Sequence, residues 1–576
     1  MNNETILLLE KYFDVAFAAP DGVKNLRELI LSLAMQGKLV PQDPSDQSAR
    51  ELLKEIEAEK SRLVKDGKIK ASKPLPEIKP DEVPYDLPKS WEWVRLGEIA
   101  TQITDGVHQT PKYLDTGIPF ISIKDINGKT VSFNDCKYIS QEEHQQINLR
   151  CNPERGDILI CRIGTLGRAT IVDTDRCFSL FVSVGLLKFP QHLIIPIFTH
   201  RTLSSPFLIR QYDQIKAGGS HTNKLNLGDI PRLIFPLPPL AEQRRIVAKI
   251  DELMARCDEL EKLRQVHAQK QITVHNAALN QLLTAKDHND FKTSWHFISQ
   301  HFGELYSVKA NVAELRKAIL QLAVMGKLVP QNPNDQPASE LLNAIEVEKN
   351  RLVKEGKIKR ESKIPLLLEK EIPFNVPKSW QWTRLGLVME RLTDYHANGS
   401  YEILKKHVEL LDEPDFAIML RTTNFSEKSR EKYKYITKEA YEYLEKSKVF
   451  AGDIIMNKIA DPGATFYVDD RGKPMSLAMN LFLLKFNPKN MLSKFVYFYL
   501  AGNYDYVVSF SSGTATPTIT KDAVKSLRFP LPPLAEQHRI VAKIDQLMTL
   551  CDELEKQIDI ANSKKTNLLN SVMTKV

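Results

Sequence analysis

The stretch FPLPPLAEQRRIVAKIDELMARCDELEK, residues 235–262, returns as FPLPPLAEQHRIVAKIDQLMTLCDELEK at residues 529–556. Four of the 28 positions differ: Arg244/His538, Glu252/Gln546, Ala255/Thr549 and Arg256/Leu550. Pro238 and Pro239 stop any extended run and preset φ for a helix start, and Glu242 falls in the first turn, where unpaired N–H groups favour an acid. Ile246, Ile250, Leu253, Cys257 and Leu260 then alternate at spacings of four and three, the rhythm of a coiled-coil seam. The second copy keeps that rhythm at Ile540, Ile544, Leu547, Cys551, Leu554 and Ile558. Neither segment contains Gly or Pro after its start, so each is predicted as one long helix, about 60 Å for roughly 40 residues. Equal seams in one chain predict that the two helices pair with each other.

The repeat extends upstream. LRELILSLAMQGKLVPQDPSDQSARELLKEIEAEKSRLVKDGKIK, from Leu26, returns from Leu315 with 31 identities in 45 positions, an offset of 289. LPKSWEWVRLG at Leu87 matches VPKSWQWTRLG at Val376 at the same offset, whereas the long helices sit 294 apart, so the second intervening block is five residues longer. Each half therefore reads as a helical pair, a Pro-rich linker, a W-x-W opening, a variable block and a closing helix. Between the repeated ends the two blocks barely align.

Boundaries follow: a helical region at 1–70, a linker at 71–88, a globular block at 89–239 and a long helix at 240–286. A linker at 287–310, a second helical repeat at 311–359, a linker at 360–377, a second block at 378–533 and a final helix at 534–576 complete the chain. Within the blocks IPFISIK (from Ile118), GDILICR (from Gly156) and NLFLLKF (from Asn480) are short apolar runs bounded by Gly, Asp and Pro, predicted as buried strands. The fold class expected is mixed α/β (α+β), an internal tandem duplication with pseudo-twofold symmetry.

Composition is that of an ordinary soluble protein: 42% hydrophobic, 26% charged, net charge +7 across 576 residues. A mildly basic balance permits a nucleic-acid partner without demanding one. No apolar run approaches the ~20 residues of a membrane span, and the N-terminal MNNETILLLEKYFDVAF lacks a basic leader. Six cysteines, at 136, 151, 161, 177, 257 and 551, form no C-x-x-C pair and no metal-ligand spacing, which fits reduced thiols in a cytoplasm. Catalytic signatures are missing: no phosphate loop, no dinucleotide fingerprint, no H-E-x-x-H and no D/N-P-P-Y/F tetrapeptide of an adenine methyltransferase. The chain is expected not to be an enzyme by itself. A stand-alone methyltransferase or nuclease, and a coiled-coil scaffold with carbohydrate- or protein-binding lobes, are the competing readings.

Recognition chemistry is better represented. TDGVHQTPK (104–112), CRIGTLGR (161–168) and AGGSHTNK (217–224) are polar loops in the first block; TDYHANGSY (393–401), Arg421 to Asn424, Asn457-Lys458 and SSGTATPTITK (511–521) follow in the second. Arg can fork onto guanine, Asn and Gln onto adenine, and hydroxyls or Lys onto phosphates. Three loops recur near the duplication offset: Thr104 with Thr393, GDILICRIG with GDIIMNKIA, and Ala217 with Ser511.

These features resemble the specificity subunit of Type I restriction–modification systems. The likeness is carried by WEWVRLGEI at 91, TDGVHQTPKYLDTGIPFISIKDI at 104, GDILICRIGTLG at 156, TDYHANGSYEILKKHVE at 393, SSGTATPTIT at 511 and both PLPPLAEQ-RIV-KID-L segments. The added helical pairs look like the longer-chained branch of that family. The resemblance implies two target recognition domains, joined and separated by long antiparallel coiled-coil helices, each domain reading half of a bipartite DNA site. It implies two methyltransferase subunits and two motor-nuclease subunits as partners, with S-adenosylmethionine on the former, ATP and Mg on the latter, and no cofactor or metal on this chain. Candidate DNA contacts are then Thr104, His108, Thr110, Lys112, Arg162, Thr165, Arg168, Ser220, His221, Thr222, Asn223 and Lys224 in the first block. In the second they are Tyr395, Asn398, Tyr401, Arg421, Thr422, Asn424, Lys458, Thr514, Thr516 and Thr518. Ile30, Leu33, Ile319, Leu322 and Leu341 of the helical pairs are the candidates for partner docking, with packing on the long helices as the alternative.

Overall fold

The computed structural model describes residues 17–217, 223–360, 364–425, 432–513 and 516–573. Its contacts divide the chain into two compact units, Met1–His267 with Ile560–Val576, and Ala268–Asp559.

In unit 1, α1 (Gly22–Met35) and α2 (Ala49–Lys65) form the helical pair. Ser48 starts α2: its hydroxyl accepts from Glu51 N at 3.3 Å while Glu51 Oε2 accepts from Ser48 N at 3.2 Å, a reciprocal cap. The block opens with β1 (Glu92–Arg95) and later continues through β2 (Gln102–Asp105), β3 (Ile118–Ile121), β4 (Lys137–Ile139) and β5 (Ile158–Cys161). It ends with β6 (Ala169–Ile171), β7 (Ser179–Leu180), β8 (Val184–Lys188) and β9 (Ile234–Leu237). The repeated ends of the block pair with each other: β1 runs antiparallel to β9 with Val94 opposite Phe235. The remaining strands make two sheets, β2-β8-β5-β6 and β4-β3-β7. Strand residues alternate between faces, so the central sheet feeds two cores. Ile158, Ile160 and Leu187 join the core that contains Trp91, Ile246 and Ile250, whereas Leu159, Cys161 and Leu186 join Phe178 and Leu180. That double burial is why GDILICR reads as a continuous apolar run.

The long helix α3 spans Leu240–Thr284. Ile246, Ile250 and Cys257 of its seam are buried with Val23, Ile30, Ala34 and Met35 of α1. Arg27 of α1 lies 2.7 Å from Asp258 and 2.9 Å from Glu261. Glu242, in the first turn, is fully buried and accepts from the Trp91 indole at 2.9 Å and the Gln42 amide at 2.6 Å. Burial lifts its carboxyl above the usual range.

Unit 2 repeats the plan. The segment 287–310, expected as a linker, carries α4 (His288–Gln300), whose start is capped by Asp287 accepting from Asp290 N at 2.9 Å. Its Ile298 is buried among Leu279, Leu282 and Ile319, so a hydrophobic face organises what the polar DHND run disguised. The second helical pair is α5 (Lys309–Val324) and α6 (Ala338–Lys354). The strands are β10 (Gln381–Arg384), β11 (Arg391–Asp394), β12 (Ala417–Leu420), β13 (Lys434–Ile436), β14 (Lys448–Val449), β15 (Ile454–Asn457), β16 (Thr465–Tyr467), β17 (Met475–Leu477), β18 (Leu481–Lys485) and β19 (Arg528–Leu531). β10 pairs with β19, and the sheets run β11-β18-β15-β16 and β13-β12-β17-β14. Apart from the edge strand β14, this is the strand order of unit 1, although the two block sequences barely align. The final helix α7 (Leu534–Met573) repeats the contacts of α3: Gln331 donates to Glu536 at 2.6 Å, and Arg316 lies 2.6 Å from Asp552 and 3.4 Å from Glu555. Among the described residues no helix is long and apolar enough to cross a membrane.

Candidate nucleic-acid interface

In unit 1 three polar loops converge where β2 and β5 end. Asp105 closes β2 and is 2% exposed on its side chain. Arg162 follows β5, equally buried, and its guanidinium pairs with the Asp105 carboxylate, donates to Val182 O at 3.0 Å and to Leu225 O at 3.1 Å. Leu225 N donates back to Arg162 O at 2.8 Å, and Ile163 bridges Lys224, so the third loop is stitched to the second. Arg150 adds a second guanidinium, bonding the same carboxylate, Asp105 O at 2.8 Å and Gly106 O at 3.0 Å. His108 Nε2 stands 3.2 Å from Asp105 Oδ2. The turn between Arg162 and Arg168 closes on Gly167, whose φ is +71° and where a Cβ would lie 2.0 Å from the buried Tyr212 ring. No side chain fits there.

Unit 2 builds the same junction from other residues. Asp394 closes β11, with Lys521 at 3.0 Å and Lys458, which follows β15, at 3.7 Å. Lys458 also sits 5.4 Å from the centre of the Phe482 ring. Ile519 N donates to Lys458 O at 3.0 Å, and Ile459 bridges Thr518, which in turn bridges Ser512. Gly463, at φ +88°, occupies the turn position of Gly167, with Val507 in place of Tyr212.

Against this geometry the candidate residues separate into two groups. His108, Thr110, Lys112, Thr165, Arg168, Asn223 and Lys224 are exposed in the first block, as are Tyr401 and Thr516 in the second; Thr422, Lys458 and Thr518 are half-buried. The Arg168 side chain donates to Thr165 Oγ1 at 3.1 Å. The other group is committed inside the protein. Thr104, Arg162 and Tyr395 are buried, and Asn424 is 0% exposed, accepting from Arg421 N at 3.0 Å and donating to Lys432 O at 3.0 Å. Arg421 Nη2 also donates to Lys432 O, at 2.9 Å. Asn398 is bonded to Tyr395 O, Ser447 Oγ and Lys446 N. Arg162, Asn398 and Asn424 thus spend their polar groups on partners within the fold, which leaves them little to offer a ligand. Ser220, His221, Thr222 and Thr514 lie outside the described residues.

The docking candidates lie within the chain's own packing. Ile30, Ile319, Leu322 and Leu341 are buried in their own units' cores, and the half-buried Leu33 packs on the cluster of Phe17, Leu29 and Leu569. Short helices bury their apolar faces on the long ones, so packing takes these side chains. Asp105, Arg150, Asp394 and Lys521 were not among the candidates. The dipeptide Thr-Asp recurring at 104–105 and 393–394, inside otherwise unlike blocks, was the available signal.

The family model for the Type I restriction modification DNA specificity domain matches this chain twice, over residues 88–269 and 380–561. The chain belongs to that specificity family. Both matched spans start at the W-x-W opening and run into a long helix, the limits the duplication sets. The EcoAI specificity subunit of a Type I restriction enzyme from Escherichia coli is 33% identical over 571 residues, covering 96% of this chain and 93% of the relative. The EcoEI specificity subunit, also from Escherichia coli, is 30% identical over the same shares of each chain. Among solved structures, the HsdS subunit from Thermoanaerobacter tengcongensis is 18% identical, covers 85% of this chain and 98% of that one, and has a TM-score of 0.39. A chain solved in work on complex assembly and conformational transition of the type I R-M system has a TM-score of 0.44 at 18% identity, with the same coverage. Membership in the specificity family assigns the chain to the sequence-choosing part of a restriction–modification system, not to its methyltransferase or nuclease parts.

Proposed function

We propose that this chain is the non-catalytic DNA-reading subunit of a Type I restriction–modification complex in the cytoplasm. Each block reads one half of a bipartite, asymmetric site on duplex DNA. The duplicated frame positions two methyltransferase subunits, which carry S-adenosylmethionine, for N6-methylation of adenine. Motor-nuclease subunits, carrying ATP and Mg, restrict unmodified DNA on the same core.

One observation carries the reading. The two blocks share a strand order and a junction of three loops, while the side chains presented on those loops differ. Two identical partners require two like frames, and two different half-sites require two different surfaces. An internal pseudo-dimer does for an asymmetric site what a symmetric dimer does for a palindrome. The buried Glu242 and Glu536 nodes, and the Arg27 and Arg316 ion pairs, are duplicated parts of that frame.

The test is binding and methylation by the chain assembled with its methyltransferase. Salt-sensitive, sequence-selective binding to duplex DNA is expected, with methylated adenines in a two-part motif in a host carrying the system. Binding that ignores sequence, or a single uninterrupted motif, would rule the proposal out.

A further inference from the structure

We infer that Asp105 and Asp394 are positioning residues for DNA reading: each carboxylate gathers two cations from separate segments and so holds the loops of its block as one surface. This rests on the proposed DNA-reading function. In unit 1 the gathered cations are Arg162, 57 residues along the chain, and Arg150; in unit 2 they are Lys458 and Lys521. What the two junctions share is the carboxylate at the end of the first strand of the central sheet, β2 or β11, and a cation just after the strand two places across that sheet, β5 or β15. The second cation differs in chemistry and in origin. Arg150 precedes β5, whereas Lys521 follows the 511–520 loop.

Stability alone is a weak account of such an arrangement. A buried ion pair is often replaceable by apolar side chains of like volume without loss. Here one carboxylate faces two cations, with His108 also 3.2 Å from Asp105, so each set of partners carries more positive charge than its carboxylate can balance. The outer member, Arg150 at 57% side-chain exposure and Lys521 at 37%, presents that charge to solvent beside the exposed loop residues. A surface meeting DNA gains from a fixed cation among loops whose relative placement is set beforehand. The carboxylate supplies that placement without touching DNA.

The experiment uses the full chain assembled with its methyltransferase, challenged with duplex libraries randomised in one half-site at a time. Asp105→Asn should lower discrimination at the first block's half-site by ~tenfold or more, within the range a mispaired contact costs, and leave the other half-site unchanged. Asp394→Asn should do the reverse. Arg162→Lys should retain discrimination, since lysine serves in the second junction. Because Asp105→Asn leaves a buried guanidinium unpaired, Asp105→Asn with Arg162→Met removes that charge and restores folding while still untying the loops. Normal discrimination at both half-sites in that double variant would overturn the inference, as would equal relaxation of both halves by Asp105→Asn. Failure of the unmodified complex to discriminate would instead overturn the proposed function.

Discussion

Asp157 shows how a single buried group imposes a pH signature. It is 3% exposed, accepts from Glu154 N at 2.8 Å and from Lys188 Nζ at 2.6 Å, and burial raises its carboxyl to about 6. Unfolded, an aspartate titrates near 3.9. Between roughly pH 4 and 6 the folded state therefore keeps a proton the unfolded chain has released, so stability falls as pH rises through that window and is level above it. Asp157→Asn should remove Asp157's share of the slope: relative to wild type, the variant gains up to ~3 kcal/mol across that window, read from urea midpoints at each pH. A constant difference at all pH values would refute the assignment. Two arginines make the complementary case. Arg162 is spent on Asp105 and two carbonyls, whereas Arg168 is exposed with one weak partner. Arg168→Ala should weaken DNA binding by ~1–3 kcal/mol and relax one base position if it reads a base, with an unchanged melting temperature. Arg162→Ala should lower the melting temperature itself, because it removes the buried guanidinium that ties Asp105 to the Val182 and Leu225 carbonyls and leaves those carbonyls without that donor.

Ser48 tests the same logic for a helix. It caps α2 reciprocally with Glu51, and its counterpart Pro337 caps nothing, presetting φ at −64° instead. Ser48→Ala should cost about 1 kcal/mol, seen as faster amide exchange over residues 49–52; unchanged protection there would mean the cap is redundant. Elements of this kind were largely legible in the sequence. The helix expected over 240–286 forms over Leu240–Thr284, and IPFISIK, GDILICR and NLFLLKF supply β3, β5 and β18. What was hidden depends on distant pairing. The 287–310 segment looked like a linker because its polar start masks the spacing of Phe291 and Ile298, which needs the neighbouring helices to be read as a buried face, while Trp295 and Phe302 stay exposed. The loop arginine at 162 looked exposed because the carboxylate that draws it inward lies 57 residues earlier. The docking candidates lie on packed faces, as the alternative reading had it, because a short amphipathic helix shows an apolar stripe whether its partner is another chain or its own.

At the scale of the molecule, duplication separates what must stay alike from what is free to differ. Within unit 2 the block leaves and rejoins the frame through the β10–β19 ladder, where Gln381 faces Leu531 and Thr383 faces Phe529. Its two ends are therefore neighbours, held by a ladder made of repeated sequence, and nothing in the helical pair has to move when the block is exchanged. Unit 1 has the same doorway at β1 and β9. Replacing residues 380–529 with the corresponding block of another family member should thus fold on the existing frame. On the proposed function it should change one half of the methylated motif and leave the other half as it was, read by methylation-sensitive sequencing of a host carrying the chimera. On the same proposed function, assembly with two methyltransferase subunits should persist, since the long helices are untouched; mass measurement of the reconstituted complex would report it. If both halves of the motif changed together, the blocks would not be independent readers, and the shared strand order would reflect ancestry without a division of labour.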